Sequence, residues 1–203
     1  MKGDGELKKM ELCPIEVEVK IPVTQWEKLC RRLEECGFVS VGVRRETDIY
    51  YNSVNYDLRA HDKALRIRRI TDLETGESWA EFNCKGPKLD HVSVSRKEIE
   101  IKLERPEEME GILEELSFYP VEVSVTKTRY QYRKGRITAA ADRVEGLGDF
   151  LELEILAQGE ENRVPCLKEI ETVMVGLGYK KEDTVRDSYL SLLQFKRTCV
   201  REE

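Results

Sequence analysis

Hydrophobic and polar residues alternate strictly near the start of the chain. Residues 15–21 read IEVEVKI, and this period of two predicts a β-strand with one apolar and one charged face. The spacing then changes, because apolar residues recur three and four positions apart between Thr24 and Gly37, which predicts a helix. We expect Thr24 and Glu27 to form a capping box at its start and Gly37 to end it.

The same order of strand and helix recurs twice along the chain. Residues 98–102 read EIEIK and precede a helix that opens at Pro106, while residues 152–155 read ELEI and precede a helix that begins near Pro165. A last helix is predicted over residues 184–196. Three similar units indicate an old duplication.

Further strands are predicted between these units, and turn residues such as Thr75-Gly76 and Lys134-Gly135 connect them. Many strands joined by short turns predict an α+β protein, with an antiparallel sheet or barrel and helices outside it. These additional strands are expected in residues 39–51, 64–70, 79–84, 121–132 and 136–142.

Charge is segregated by sign on one face of the predicted strands. Alternate residues of a strand share a face, so the sequence alone assigns charges to faces. The opposite faces are apolar and are expected to pack under helices; on one strand they carry Ile99 and Ile101. The charged faces carry Glu16, Glu18 and Lys20; Arg66 and Arg68; Arg96, Glu98 and Glu100; Lys127 and Arg129; and Glu152 and Glu154.

Solvated faces of an ordinary antiparallel sheet are the alternative interpretation. Against it, neighbouring positions repeat one sign, and like charges side by side repel. A divalent cation relieves paired carboxylates, and a phosphate relieves paired guanidinium groups. We therefore predict that the charged faces line a ligand site. Repulsion is expected in the empty site, so that deleting one cation would stabilise it.

The chemistry of these side chains narrows the ligand. Carboxylates without histidine or cysteine favour a hard cation, Mg²⁺ or Mn²⁺. The basic residues exceed what one phosphate needs, which favours a triphosphate or polyphosphate, and no P-loop motif is present. The basic set consists of Lys20, Arg66, Arg68, Lys85, Arg96, Lys127 and Arg129.

Composition excludes several other classes of protein. The chain has 203 residues, 36% of them charged, and a net charge of −6, so no general positive field attracts nucleic acid or an anionic membrane. Since the sequence contains neither a long apolar run nor the apolar core of a signal peptide, we expect a cytoplasmic protein. One domain over residues 1–203 is favoured, with flexible tails at 1–12 and 198–203.

Histidines and cysteines carry no recognisable site in this sequence. The six cysteines form no CxxC pair, which argues against a zinc site or a disulfide framework, and we expect reduced, mostly buried thiols. His61 and His91 are interpreted as solvated or structural residues.

An ordered series of motifs spans nearly the whole chain. The motifs are EVEVK at 16–20, ALRIR at 64–68, KGPK at 85–88, Arg96-x-Glu98-x-Glu100, Lys127-x-Arg129, DRVEGLGDF at 142–150, Glu152-x-Glu154 and RDSY at 186–189. This series resembles the CYTH superfamily, the triphosphate tunnel metalloenzymes. Segments 85–87 and 142–150 look closest to the class IV adenylyl cyclase (CyaB-like) branch, which is related to thiamine triphosphatase.

The resemblance implies an antiparallel eight-stranded tunnel and assigns roles to residues within it. Lys20, Lys85 and Asp142 are expected to be catalytic, and the basic set named above is expected to bind the phosphates of a small-molecule triphosphate. The expected metal ligands are Glu16, Glu18, Glu98, Glu100, Asp142, Glu152 and Glu154.

Several activities are compatible with this resemblance. The cyclase branch implies conversion of ATP to cyclic AMP and pyrophosphate, by a monomer or a homodimer. Bacterial cyclases of this branch carry a His-Phe pair where this chain reads Glu11-Leu12-Cys13-Pro14. Thiamine triphosphatase, inorganic tripolyphosphatase and a non-catalytic polyphosphate-binding or nucleotide-binding module therefore stay open as alternatives.

Overall fold

The computed structural model of the protein describes residues 15–89 and 95–201. The strands in these residues are β1 (Ile15–Val23), β2 (Val39–Ser53), β3 (Ala64–Asp72), β4 (Ser78–Lys85), β5 (Arg96–Leu103), β6 (Phe118–Pro120), β7 (Val125–Lys134), β8 (Ile137–Val144) and β9 (Gly148–Ala157). The α-helices are α1 (Trp26–Glu35), α2 (Pro106–Glu115), α3 (Arg163–Gly176) and α4 (Tyr189–Arg201).

Eight of these strands close into an antiparallel barrel, which confirms the predicted α+β class and tunnel. Neighbouring strands follow the order β3-β4-β5-β1-β9-β8-β7-β2, and pairing of β2 with β3 closes the ring. The ninth strand, β6, adds to β2 from outside. Pairing between β1 and β5 is short and involves only Ile15 with Lys97 and Glu16 with Arg96 in the described residues, whereas β1 pairs with β9 along its whole length.

The main hydrophobic core lies outside the barrel. The apolar faces of β1, β8 and β9 meet the apolar stripes of α1 and α3, where Val17, Leu153, Leu33 and Ile170 are fully buried. Smaller clusters form beneath α2 and at the end of the barrel that α4 covers. Burial of this outward surface supplies the main driving force for folding, and it leaves the charged faces of the strands in the interior.

The start of α1 differs from the sequence prediction. The helix begins at Trp26 after Gln25, and no side chain caps it, so the expected capping box does not form. Trp26 packs on the ring of Tyr130 with centroids 5.1 Å apart, and this tertiary contact coincides with the start of the helix. Its predicted end is confirmed, because Gly37 adopts a left-handed backbone with φ +81°.

The last helix begins later and extends further than predicted. Val185 pairs with Lys20 of β1 and donates its backbone N–H to the Lys20 carbonyl at 2.8 Å. This pairing keeps the segment before Tyr189 out of the helix. Helix α4 then continues to Arg201, past Thr198, where the sequence predicted the start of a tail.

The outer face of β5 is not covered as predicted. Ile99 and Ile101 are 57% and 49% exposed, because α2 packs over β3 and β4, where it buries Leu113 against residues such as Ile67. In the described part of the chain no helix lies over these two isoleucines, so the expectation that every apolar strand face meets a helix is wrong here.

The structure agrees with the sequence prediction for His61 but not with the prediction for the cysteines. Among the described cysteines only Cys166 is fully buried, and Cys199 is exposed, so the expectation of mostly buried thiols is wrong. His61 is exposed and stacks on Tyr56 at 4.2 Å, as expected of a solvated residue. His91 and Cys13 lie outside the described residues.

Within residues 15–89 and 95–201, no helix has the length and apolar character needed to cross a bilayer.

Burial in the outer core predicts a contrast between two isoleucines of the same barrel. Ile155 on β9 is 1% exposed and Ile99 on β5 is 57% exposed. Ile155→Ala is expected to lower the free energy of unfolding by about 2–5 kcal/mol, because it leaves a cavity. The matched substitution Ile99→Ala should cost less than about 1 kcal/mol. Urea unfolding measures both, and equal losses would contradict the placement of the core.

Candidate active site

A cavity of about 750 Å³ occupies the interior of the barrel. The strand parity read from the sequence is correct, since the charged faces of all the strands concerned turn into this space. Asp142 lies in the wall beside the cavity and is fully buried. The predicted site residues that line the cavity are Glu16, Glu18, Lys20, Arg66, Arg68, Lys85, Arg96, Glu98, Glu100, Lys127, Arg129, Glu152 and Glu154.

One wall of the cavity is rich in carboxylates. Antiparallel register places Glu18 of β1 directly opposite Glu154 of β9. Burial raises the pKa of Glu154 to about 7; Lys85 opposes this shift and Glu18 adds to it. Burial likewise raises the pKa of Glu16, although Lys85 works against it. Glu16 and Glu154 therefore resist ionisation, and a divalent cation that shared them would favour their charged forms.

Two lysines are held within the carboxylate wall. Lys85 donates to Glu16 and lies 3.1 Å from Glu98, while Lys20 lies 3.3 Å from Glu152. Burial opposes a charge on Lys85, but Glu16 and Glu98 outweigh it and raise its pKa. These two ammonium groups form ion pairs with carboxylates that were predicted to bind metal.

Two acidic residues on β2 were missed by the sequence analysis. Asp48 is 1% exposed and accepts a bidentate pair of hydrogen bonds from Arg68, at 2.6 and 2.9 Å, and another bond from Arg66 at 3.1 Å. Burial opposes ionisation of Asp48, yet Arg66 and Arg68 hold its pKa well below the usual range.

Glu46, the second of these acids, lies among four cations. Its carboxylate is 2.9 Å from Arg44, 3.3 Å from Arg68 and Lys127, and 4.0 Å from Arg129. Burial disfavours the charge, but the surrounding cations keep the pKa of Glu46 low. The signal for both acids was the alternation of residues 44, 46, 48 and 50 on one predicted strand.

Asp142 anchors the guanidinium group of Arg129. Arg129 donates to both oxygens of Asp142, at 2.8 and 2.6 Å, and also to Glu152. A third donor is Tyr189, whose hydroxyl lies 3.0 Å from Asp142. The carboxylate of Asp142 is thus already engaged by protein donors.

Tyr189 reaches the cavity from α4 and was not predicted as a site residue, although its RDSY segment was noted. Its ring lies 4.4 Å from the ammonium of Lys20 and 5.1 Å from that of Lys127. Burial raises the pKa of Tyr189, and Glu152 and Asp142 raise it further. The phenol therefore stays neutral and serves as a hydrogen-bond donor.

Arg96 lies at the rim of the cavity, where it joins two loops. Its guanidinium is 3.2 Å from the Asp62 carboxylate and 3.4 Å from the carbonyls of Asp62 and Gly86. Asp62 also accepts hydrogen bonds from the backbone and the side chain of Lys88. Arg96 therefore supports the rim as well as facing the cavity.

Opposite charges alternate so closely in the cavity that the predicted repulsion is offset. Asp142 and Glu152 share Arg129 as a partner, and breaking a buried ion pair costs about 3–5 kcal/mol. Lys127 at 3.7 Å from Asp142 and Lys20 at 3.3 Å from Glu152 would remain. These pairs contradict the unrelieved repulsion on which the expected gain in stability depended, so deleting one cation is now expected to destabilise the empty cavity.

The carboxylate wall suits a hard divalent cation. Oxygen ligands from several strands face one space, and burial, with a smaller contribution from neighbouring carboxylates, raises the pKa of Glu16 and Glu154. Such a set of oxygen donors is one that Mg²⁺ and Mn²⁺ prefer. Within residues 15–89 and 95–201 no three acidic side chains yet converge closely enough to share an ion. Binding would thus exchange a lysine partner for the metal.

A closed barrel with a charged interior is the architecture expected of triphosphate tunnel proteins. The CYTH domain family model matches residues 14–189, so the chain belongs to the CYTH domain family. The match ends at Tyr189, which contacts Asp142, Lys20 and Lys127.

Two proteins with similar sequences are named adenylate cyclases, one of them provisionally. A Methanocaldococcus jannaschii protein provisionally named adenylate cyclase is 38% identical over 178 residues, which is 88% of this chain and 98% of the relative. Adenylate cyclase CyaB of Aeromonas hydrophila is 24% identical over 159 residues, 78% of each chain.

Solved structures share the same fold. A Pyrococcus horikoshii protein superposes with a TM-score of 0.81 at 32% identity, over 89% of this chain and 99% of that one. A candidate adenylyl cyclase from Hippeastrum, described as having a dominant triphosphatase activity, gives a TM-score of 0.62 at 18% identity, over 90% of this chain and 96% of that one. At that identity the likeness concerns the fold alone.

The raised pKa of Glu154 predicts a pH dependence of stability that one substitution removes. A free glutamate titrates near pH 4.5, whereas folded Glu154 titrates at about 7. Between these values the folded state binds more protons than the unfolded state, so this group lowers the free energy of unfolding as pH rises. Glu154→Gln should stabilise the metal-free protein by roughly 1–3 kcal/mol near pH 8 and little near pH 4.5.

Urea unfolding in the presence of a chelator, at several pH values across this window, measures the difference. Glu145 is an exposed acid paired with Arg45, so Glu145→Gln serves as a control that removes a charge without touching the cavity. Parallel stability curves for Glu154→Gln and the wild type would contradict the raised pKa.

Proposed function

We propose that this protein binds a triphosphate together with Mg²⁺ or Mn²⁺ inside the barrel and catalyses attack on one of its phosphorus atoms. One observation carries the proposal: carboxylates line the same cavity as a set of lysines and arginines. A dication is the complementary ligand for the carboxylates, and a polyanion is the complementary ligand for the cations.

The metal would be held by the carboxylate wall and would supply Lewis-acid polarisation of the phosphoryl oxygens. The candidates for its ligands differ in their present contacts. Glu18 and Glu154 face each other across β1 and β9, whereas Asp142 is engaged by Arg129. The full candidate set is Glu16, Glu18, Glu98, Glu100, Asp142, Glu152 and Glu154.

The cations of the chain would hold the phosphates in line. Lys20 and Lys85 extend from β1 and β4 toward the carboxylate wall, so they can contact phosphoryl oxygens beside the metal and neutralise the charge that develops there. Asp142 orients Arg129 through two hydrogen bonds. The remaining phosphate contacts would come from Arg66, Arg68, Arg96 and Lys127.

Conversion of ATP to cyclic AMP is the reaction we favour, since two relatives are named adenylate cyclases. The ribose 3′-oxygen forms a bond to the α-phosphorus and loses its proton, while the bond to the departing pyrophosphate breaks. Hydrolysis of thiamine triphosphate or tripolyphosphate is the second candidate. The charged side chains of the lining favour tripolyphosphate in particular, because they can make the same contacts with a triphosphate that has no organic group.

Product analysis separates these candidates. The protein is incubated with ATP, thiamine triphosphate or tripolyphosphate in Mg²⁺ or Mn²⁺, and cyclic AMP, phosphate and pyrophosphate are measured. Cyclic AMP and pyrophosphate in equal amounts support the cyclase, and phosphate release supports the hydrolase. Binding of tripolyphosphate without turnover of any substrate would leave only the non-catalytic module.

Metal dependence predicts the effect of neutralising one carboxylate. Glu18→Gln is expected to raise the half-saturating Mn²⁺ concentration at least tenfold, because a charged ligand becomes a neutral one. The control Glu145→Gln should keep the wild-type value, since Glu145 is on the surface. Titration calorimetry with Mn²⁺ measures both, and unchanged binding by Glu18→Gln would remove Glu18 from the metal site.

A further inference from the structure

The C-terminal segment contacts three predicted catalytic or phosphate-binding residues at once. Tyr189, at the start of α4, is 5% exposed and donates its hydroxyl to Asp142 at 3.0 Å. The face of its ring lies against the ammonium groups of Lys20 and Lys127, at 4.4 and 5.1 Å.

The segment before Tyr189 contacts both the backbone and the ammonium group of Lys20. Val185 pairs with the backbone of Lys20, and the Asp187 carbonyl lies 3.3 Å from the Lys20 ammonium. The same lysine faces Glu18 at 3.7 Å and Glu152 at 3.3 Å. Without the carbonyl and the ring, the ammonium would have only the two carboxylates as partners.

A neutral aromatic face offers these lysines something that a carboxylate cannot. It attracts a cation through its quadrupole but does not neutralise the charge, so the ammonium remains available to a phosphate. A further carboxylate in the same place would compete with the substrate for the lysines. The hydroxyl, in turn, gives Asp142 a fixed donor in addition to Arg129.

We propose that Tyr189 is a positioning residue of the active site: its ring holds Lys20 and Lys127 ready for phosphate, and its hydroxyl fixes Asp142 and hence Arg129. This inference rests on the proposed function and deepens it, because it makes the start of α4 part of the phosphate-binding machinery. Helix α4 is then more than a cover over one end of the barrel.

Two substitutions separate the ring from the hydroxyl. Tyr189→Phe keeps the ring and removes the donor to Asp142, so kcat should fall roughly tenfold to a hundredfold with little change in KM. Tyr189→Leu also removes the aromatic face, so the affinity for tripolyphosphate in Mg²⁺ should fall several-fold in addition. Wild-type kcat in Tyr189→Phe, or wild-type affinity in Tyr189→Leu, would overturn the proposal.

Leu193 provides a control for the docking of α4. It packs in the same apolar cluster as Tyr189 but does not line the cavity. Leu193→Ala should lower the melting temperature and leave kcat and KM at their wild-type values when assayed well below that temperature. If it reproduced the kinetic losses of the Tyr189 variants, those losses would reflect helix docking and the positioning role would be wrong.

A readout independent of turnover separates this inference from the proposed function. In metal-free protein, ¹⁵N NMR of the lysine ammonium groups should show protected Lys20 and Lys127 signals in the wild type and in Tyr189→Phe. Tyr189→Leu should lose them, because the groups exchange with water once the ring is gone. Failure of the wild type to turn over any triphosphate would refute the proposed function alone, whereas unaltered signals in Tyr189→Leu would refute the role of Tyr189.

Discussion

Pairing of opposite charges inside the barrel is the interaction on which this structure depends. Each ion removed from water costs several kcal/mol unless a partner compensates it, and the cavity holds more than a dozen such groups. The register of the paired strands places carboxylates beside ammonium and guanidinium groups. Lys85, for example, lies between Glu16 and Glu98. The apolar faces are left to the outside of the barrel, where α1 and α3 bury them.

The same ion pairs suggest how the cavity would bind a metal and a triphosphate together under the proposed function. The carboxylates suited to a divalent cation now hold the cations suited to phosphate, as Glu152 holds both Lys20 and Arg129. A metal that takes the carboxylates would release those cations toward a polyanion. Under the proposed function, metal and triphosphate would therefore each strengthen binding of the other, since such coupling is reciprocal.

Much of the fold and of the site could be predicted from the sequence, because a strand shows its two faces directly as alternate residues. Neighbouring residues of one charge sign on a strand face, such as Arg66 and Arg68, indicated that this face turns into the barrel. Glu46 and Asp48 were missed because they share a strand face with Arg44, and a face with mixed charge signs looks like an ordinary solvated one.

Other errors had a tertiary origin. The exposure of Ile99 and Ile101 depends on which strands α2 covers, and the late start of α4 depends on the pairing of Val185 with Lys20. Neither contact leaves a periodic pattern in the local sequence. The role inferred for Tyr189 depends on the same long-range contact.

The position of β1 in the ring has a consequence for biosynthesis. This strand emerges from the ribosome before the other eight described strands, yet its principal neighbour is β9, and Ile15 meets Ala157. Until β9 has been synthesised, α1 alone follows closely enough to shield the apolar face of β1. Contacts between such distant parts of a chain form slowly, and an unpaired strand edge invites association with other chains. In a nascent chain of this protein, the edge of β1 that pairs with β9 therefore stays unpaired through most of translation.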